Sequence, residues 1–433
     1  MSLTANLARL TKDLPGIQGV IKERPEDFLV EEQPLYEPSG EGEHLYLYIE
    51  KREMTTADAV RRIAKAFRVS RREIGYAGLK DKHAVTRQLI SVRLPSPQHQ
   101  DERLAKVEMP PRLKVLWHDR HTNKLRRGHH AGNRFVIRIR RVEPTAVVRA
   151  KPILQRLEQQ GAPNYLGQQR FGYRDNAHLI GKALLLNEYQ QVLDLLLGNP
   201  LDHETPKLQE ARRAYEQADY DKALQLCPKS LRNDRQALEA LRQGASADKA
   251  VNAIDLTQRQ LYLSALQGAI FNDILNQRIQ AGTFDQLLPG DLAWKHDNGS
   301  VFAVDQPTAD KENAANGRIR QLLISPSGPM WGPSMLKASG QTAEAEQRAL
   351  EAQGLTEQHL EAAGKLDVPG QRRPLRIFIK DTELEGGADE HGPFVKVAFE
   401  LPRGAFATMI LREIMKNDVP DATLERFKPN AEA

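Results

Sequence analysis

A chain of 433 residues with 40% hydrophobic and 27% charged residues has the balance of a soluble globular protein, and room for roughly two to three domains. A single cysteine, Cys227, excludes an internal disulfide framework and a multi-thiolate metal site, and no apolar run approaches the length of a membrane span. Net charge is only +5, because 62 basic residues face 57 acidic ones, so a polyanion-binding surface must come from where the charge lies.

The first residues lack the apolar core of a signal peptide, which predicts a cytoplasmic protein with no membrane contact. Leu45, Leu47 and Ile49 then alternate with Tyr46 and Tyr48 as a strand. Ala57, Val60, Ile63, Ala64 and Phe67 recur at helical spacing behind the capping candidates Thr55 and Thr56. Ser70 to Glu73 reads as a capping box opening a short helix that Gly75 ends. Ile90, Val92 and Leu94 line one face of a further strand, stopped by Pro95 and Pro97. This order, without regular βαβ crossovers, predicts an α+β domain with a largely antiparallel sheet.

From about Asn176 the pattern turns helical. Ala183–Leu186 and Leu195–Leu197 precede a polar, helix-rich region running to about Asp255. Ala211 to Leu224 resembles a single tetratricopeptide unit, with no second copy at a fixed period. A further helix spans Leu261 to Arg278, with Leu263, Leu266, Ile270, Ile274 and Leu275 on one face, and Thr342 to Leu366 reads as a solvated helical hairpin. Strand signals return only with Leu375, Ile377 and Ile379, and with Val395, Val397, Phe399 and Leu401. A last helix then turns Phe406, Met409, Ile410 and Ile414 inward. Strands at both ends with helices between predict a sheet domain, residues 1–162 and 368–433, interrupted by an inserted domain, residues 163–367.

Between Arg112 and Arg141, ten cations meet one anion, Asp119, and Phe135, Ile137 and Ile139 alternate with Arg134, Val136, Arg138 and Arg140. Such a strand buries one face and presents arginines on the other, the footprint of phosphate-backbone contact. Arg126, Arg127, Arg138 and Arg140 are the candidate contacts. No Walker A motif, Gly-x-Gly-x-x-Gly or His-Glu-x-x-His pattern accompanies them, so neither a nucleotide cofactor nor a catalytic metal is expected. Upstream, Gly75-Tyr-Ala-Gly-Leu-Lys-Asp81-Lys-His-Ala-Val-Thr-Arg-Gln88 holds one carboxylate between Lys80 and Lys82. Cations on both sides favour its ionised form. On its own such an Asp reads most simply as a solvated turn residue.

Five blocks change that weighting: Lys22-Glu-Arg-Pro-Glu-Asp-Phe28-Leu-Val-Glu, the Gly75–Gln88 segment, Gly132-Asn133-Arg134-Phe135, Pro163-Asn-Tyr-Leu-Gly-Gln-Gln-Arg-Phe-Gly172 and Leu401-Pro-Arg-Gly-Ala-Phe406-Ala. In this order they resemble the TruD family of tRNA pseudouridine synthases. The resemblance implies isomerisation of uridine to pseudouridine at position 13 of the tRNA D arm, without cofactor or metal. It implies a pseudouridine-synthase-like catalytic domain interrupted by a mostly helical TRUD domain, whose far end Gly328-Pro-Met-Trp331-Gly resembles. Asp81 matches the family's catalytic aspartate and Lys22 the basic residue paired with it. Phe28, Asn133 and Phe406 match residues lining the site for the target nucleotide, and Phe135 the aromatic packed on the target base. Periodicity alone puts Phe135 in the core, and both hold if it closes the floor of a cleft. The helices near 187–255 and 342–366 exceed what the family's shorter bacterial members need. The expected partner is tRNA, bound by a monomer that requires no protein partner. The rival readings of the same residues are a non-catalytic RNA-binding protein and an Asp-dependent nucleic-acid hydrolase. A pure binder gains nothing from an ionised Asp among phosphates, and one carboxylate without metal ligands suits hydrolysis poorly.

Overall fold

The computed structural model describes residues 6–94 and 109–417, which form two compact units. One comprises 13–94, 109–158 and 378–417, the other 6–12 and 159–377. Pro95 and Pro97, expected to stop a strand, lie outside the described residues.

The first unit is built on an eight-stranded mixed sheet. Its strands are β1 (Phe28–Pro34), β2 (His44–Arg52), β3 (Ile74–Tyr76), β4 (Val85–Arg93), β5 (Leu113–His121), β6 (His130–Arg140), β7 (Lys380–Asp389) and β8 (Gly392–Pro402). Their order is β7-β8-β6-β1-β4-β2-β5. β2 occupies one edge of β4; β1 and β3 share the other, β1 along the first half and β3 along the second. Among the described residues β1–β4 is the sheet's one parallel pairing, with Leu29 opposite Val85 and Glu31 opposite Arg87.

Strand alternation gives this sheet a continuous buried face. Leu45, Leu47 and Ile49 of β2 and Ile90 and Val92 of β4 lie under α1 (Thr56–Phe67), which turns Ala59, Val60, Ile63, Ala64 and Phe67 onto them. The helix starts where the Thr55 hydroxyl accepts the Asp58 N–H at 3.0 Å, and Arg68, with φ 53°, ends it in the left-handed region. The same face continues through Phe28, Val30 and Glu32, then Asn133, Phe135, Ile137 and Ile139, then Val395, Val397, Phe399 and Leu401. α2 (Ala407–Met415) follows the last strand with Ile410 and Ile414 buried, as the sequence predicts.

Two local expectations fail. Gly75 lies inside β3 and ends no helix; only a 3₁₀ turn, Arg71–Glu73, precedes it. A Cβ at Gly75 would sit 2.2 Å from the Leu125 carbonyl oxygen, so the glycine answers a close backbone approach. β7 was not expected, because as an edge strand paired with β8 alone it is polar and largely exposed, without hydrophobic alternation.

In the second unit, helices Ala177–Leu185, Tyr189–Leu197, Pro206–Glu216, Tyr220–Leu226, Arg232–Arg242 and Ala247–Asn252 lead into the 25-residue helix Leu256–Gln280, whose predicted apolar stripe is buried. Cys227 is a buried thiol there, pushed up to about 11 by burial. The region is not purely helical before residue 375, however. It holds a four-stranded sheet ordered Gln371–Pro374, Ile324–Met330, Leu292–Lys295, Val301–Ala303. The strand Ile324–Met330 is buried at every position, so no alternation marks it, and Pro326, Gly328 and Pro329 disguise it further. Helices Gly340–Glu351 and Leu360–Lys365 stand where the solvated hairpin was expected, but the first buries Glu346, which accepts from both terminal nitrogens of buried Arg372 at 2.7 and 2.8 Å.

Arg140, expected to contact phosphate, is not available for that role. Its side chain is 3% exposed and donates to Asp27 Oδ1 at 2.6 and 3.0 Å and to both oxygens of Asp389 at 2.6 and 2.9 Å. The arginine in turn holds the Asp389 carboxyl below the usual carboxylate range. Arg140→Ala would leave Asp27 buried without its cation. The expected loss is about 3–5 kcal/mol in urea unfolding; a loss below about 1 kcal/mol would return Arg140 to the surface set.

Candidate active site

The segment 77–84 between β3 and β4 is held by its backbone from every side. The Ala77 carbonyl accepts the Gly128 N–H at 2.9 Å, and the Gly78 carbonyl accepts the Gln88 side-chain amide at 3.1 Å. Thr56 Oγ1, in the first turn of α1, accepts the Lys80 N–H at 3.0 Å. Lys51, near the end of β2 and 1% exposed, donates to the carbonyls of Met54 (2.7 Å), Lys80 (3.3 Å) and Asp81 (2.8 Å). Burial pulls the Lys51 amine down to about 8, against the opposing pull of the Asp81 charge.

Asp81 emerges from this loop with a side chain 37% exposed. Lys22 Nζ, on a side chain 2% exposed, meets its Oδ2 at 3.0 Å, and Oδ1 has no partner among the described residues. Lys22 has φ 59°, a left-handed conformation uncommon for lysine. The chain is pinned just before it, where Val20 and Arg140 exchange backbone hydrogen bonds of 3.0 and 2.8 Å. The Lys22 ammonium also lies 4.5 Å from the centroid of the Phe28 ring. Phe28 packs edge-on against Phe135 at 6.3 Å, and Phe135 against Phe399 at 5.7 Å. Phe135 is 8% exposed, a core residue with a small part of its surface accessible.

Two residues along β6 from Phe135, on the same face, Asn133 accepts through Oδ1 from Lys80 Nζ at 2.6 Å. Lys80 also pairs with Glu32 at 2.7 Å, both side chains buried. Burial raises the Glu32 carboxyl and Lys80 opposes the rise. The structure thus gathers Asp81, Lys22, Phe28, Phe135 and Asn133. Phe406 is half-buried immediately before α2 and makes no ring contact with these aromatics among the described residues.

Arg126 and Arg127 project from the turn between β5 and β6, both exposed and without an ion pair among the described residues. Leu125 beside them is buried with Tyr46 and Leu89. The turn is tied to the Asp81 loop through the Gly128–Ala77 hydrogen bond and receives Arg403 Nη1 on the Gly128 carbonyl at 3.1 Å. Arg138 is half-buried, its guanidinium 5.2 Å from the Phe394 centroid. Other members of the basic run are engaged: Arg134 meets Glu383 at 2.5 Å, and Arg112 meets Glu53 at 3.6 Å. The run's one-signed appearance is therefore partly a sequence effect, since its acids come from other strands.

The family model of tRNA pseudouridine synthase D (TruD) matches residues 4–414. The chain belongs to the TruD family. It is 41% identical over 413 residues to a tRNA pseudouridine synthase D of Geobacter metallireducens, covering 95% of this chain and 98% of the relative. With the corresponding protein of Geobacter sulfurreducens it shares 42% identity, over 94% and 96% of the two chains. A crystal structure described as a tRNA pseudouridine synthase D of Methanosarcina mazei superposes with a TM-score of 0.78 at 26% identity, covering 96% of this chain and 98% of the other. The family's α+β fold is the fold seen here. No helix among the described residues is long and apolar enough to cross a membrane, and none of them forms a group of three or more His, Cys, Asp or Glu side chains placed to hold a metal ion.

Sequence reasoning missed Lys51, which sits at the end of an amphipathic strand and looks like an ordinary surface lysine. Its only signal is parity: it continues the inward face of Leu45, Leu47 and Ile49. Its pH behaviour gives a test. The folded value lies below the ordinary 10.5, so the cost of burying the charged amine is full below about pH 8 and disappears as pH rises towards 10.5. Stability of the wild type relative to Lys51→Met should rise between pH 8 and pH 10 in urea unfolding. A flat or falling difference would show that Lys51 is not buried as a charge.

Proposed function

We propose that the protein converts uridine to pseudouridine at position 13 in the D arm of tRNA, with Asp81 as the catalytic carboxylate. The observation that carries this is the buried Lys22 ammonium committed to Oδ2 of a half-exposed Asp81, with Oδ1 left for substrate beside the Phe28 and Phe135 rings. The reaction cleaves the bond from ribose C1′ to uracil N1, turns the base and joins C1′ to C5; C5 gives up its proton and N1, freed from the ribose, takes one up. It is redox-neutral and requires no electron acceptor, cofactor or metal.

In this proposal Lys22 keeps Asp81 oriented and ionised, and the apolar walls exclude water from a detached base. Extruding the base from the D arm costs a few kcal/mol, which backbone contacts must offset. Arg126 and Arg127 are the proposed phosphate contacts; Arg138, near the far end of β6 and on the face opposite Phe135, is a separate candidate, and Arg140 is withdrawn from the set. Phe406 is proposed to close on the nucleotide from the turn before α2. The sheet unit is assigned as catalytic and residues 159–377 as the inserted TRUD domain. The protein is proposed to act as a monomer in the cytoplasm.

Mapping of pseudouridine in tRNA from cells lacking the protein tests this directly. The modification should vanish at position 13 and persist at other sites. Its retention at position 13 with loss elsewhere would redirect the assignment to another uridine.

A further inference from the structure

Lys80, one residue before Asp81, turns its side chain away from the carboxylate and into the sheet. The side chain is 4% exposed and its ammonium lies between Glu32, at 2.7 Å, and Asn133 Oδ1, at 2.6 Å. Register explains the meeting: Asn133 stands opposite Glu32 on β1 and Leu401 on β8, on the face that carries Phe28 and Phe135. Gly78 lines the same pocket, where an added Cβ would lie 3.4 Å from Lys80 Nζ, 3.6 Å from His130 Cε1 and 3.7 Å from Glu32 Oε2. Burial, Lys80 and Arg403 bring the His130 imidazole down to about 4, so it adds no positive charge to this pocket at neutral pH.

A lysine ammonium has donors only, so the Asn133 amide has one acceptable orientation. Turned the other way, its N–H groups would face the ammonium, and Lys80 would lose an acceptor where water is scarce. With the oxygen committed inward, the amide nitrogen points away from Lys80, and Nδ2 makes no hydrogen bond among the described residues. Asn133 is half-buried, so this donor remains open to a ligand.

We infer that Lys80, held by Glu32, is a positioning residue that fixes Asn133 with its N–H₂ group towards the target base, and that this donor selects uracil over cytosine at position 4 of the ring. Uracil presents a carbonyl acceptor, O4, at that position; cytosine presents an amino donor. A fixed donor accepts the first and opposes the second. The inference rests on the proposed function and names the residue that makes the site read uridine.

The test uses full-length protein carrying Asp81→Asn, so that bound tRNA is not converted, and two tRNA transcripts differing only by U or C at the target position. The U transcript should bind about ten- to a hundredfold more tightly. Adding Lys80→Met with Glu32→Gln, which removes both charges of the buried pair, should bring the ratio close to one by weakening the U transcript and relieving the opposition to the C transcript. Asn133→Ala alters only a half-buried amide and should collapse the ratio in the same way. Preservation of the ratio in folded Asn133→Ala or in the double replacement overturns the inference. If unaltered protein forms pseudouridine while that ratio persists, the inference alone fails; if it forms none, the function on which it rests fails as well.

Discussion

Lys22 and Asp81 meet because β1 and β4 run parallel. Lys22 lies six residues before β1 and Asp81 four before β4, and parallel pairing brings those two upstream segments to the same end of the sheet. An antiparallel pairing would put them at opposite ends. The remaining pairings extend this arrangement: β6, antiparallel to β1, sets Asn133 opposite Glu32 and Phe135 opposite Val30, and β8 adds Phe399 opposite Phe135. The site is thus one end of a buried sheet face, where apolar packing gives way to paired charge.

Three lysines divide the work of holding the carboxylate loop. Lys51 binds its backbone carbonyls, Lys80 binds inward to Glu32 and Asn133, and Lys22 alone takes the carboxylate. Each is almost fully buried, and each has acceptors that justify a buried cation. Because two of the three are satisfied elsewhere, the Asp81 carboxylate is paired once and its Oδ1 has no partner among the described residues. Flanking lysines in the sequence suggested two cations facing the Asp; the fold instead recruits a lysine 59 residues away.

Much of this was legible in the chain. The period-2 pattern of β2 and the helical spacing of α1 were strong because each gathers its aliphatic residues on one face; β2 carries Tyr46 and Tyr48 on the other. Asp81, Lys22, Phe28, Phe135 and Asn133 were picked out as candidates through motif blocks; the residues alone would have left Phe28 and Phe135 as core and Asn133 as a turn residue. What escaped had a physical reason. Strand Ile324–Met330 is buried throughout and broken by prolines; β7 is an exposed edge; Lys51 is one lysine among many. Arg140 was misread because a charge run shows no partners when the acids, Asp27 and Asp389, lie 113 and 249 residues away.

The central claim is that the Asp81 carboxylate carries the reaction. Asp81→Asn keeps the side chain's size and its place in the tethered loop while removing the charge and the nucleophilic oxygen. Release of tritium from tRNA labelled at uridine C5 reads the reaction, because joining C1′ to C5 displaces that hydrogen. Unaltered protein should release tritium from the target uridine, and the folded, tRNA-binding Asn variant should release none. Release by the Asn variant at a rate near that of the unaltered protein would contradict the account and remove Asp81 from its centre.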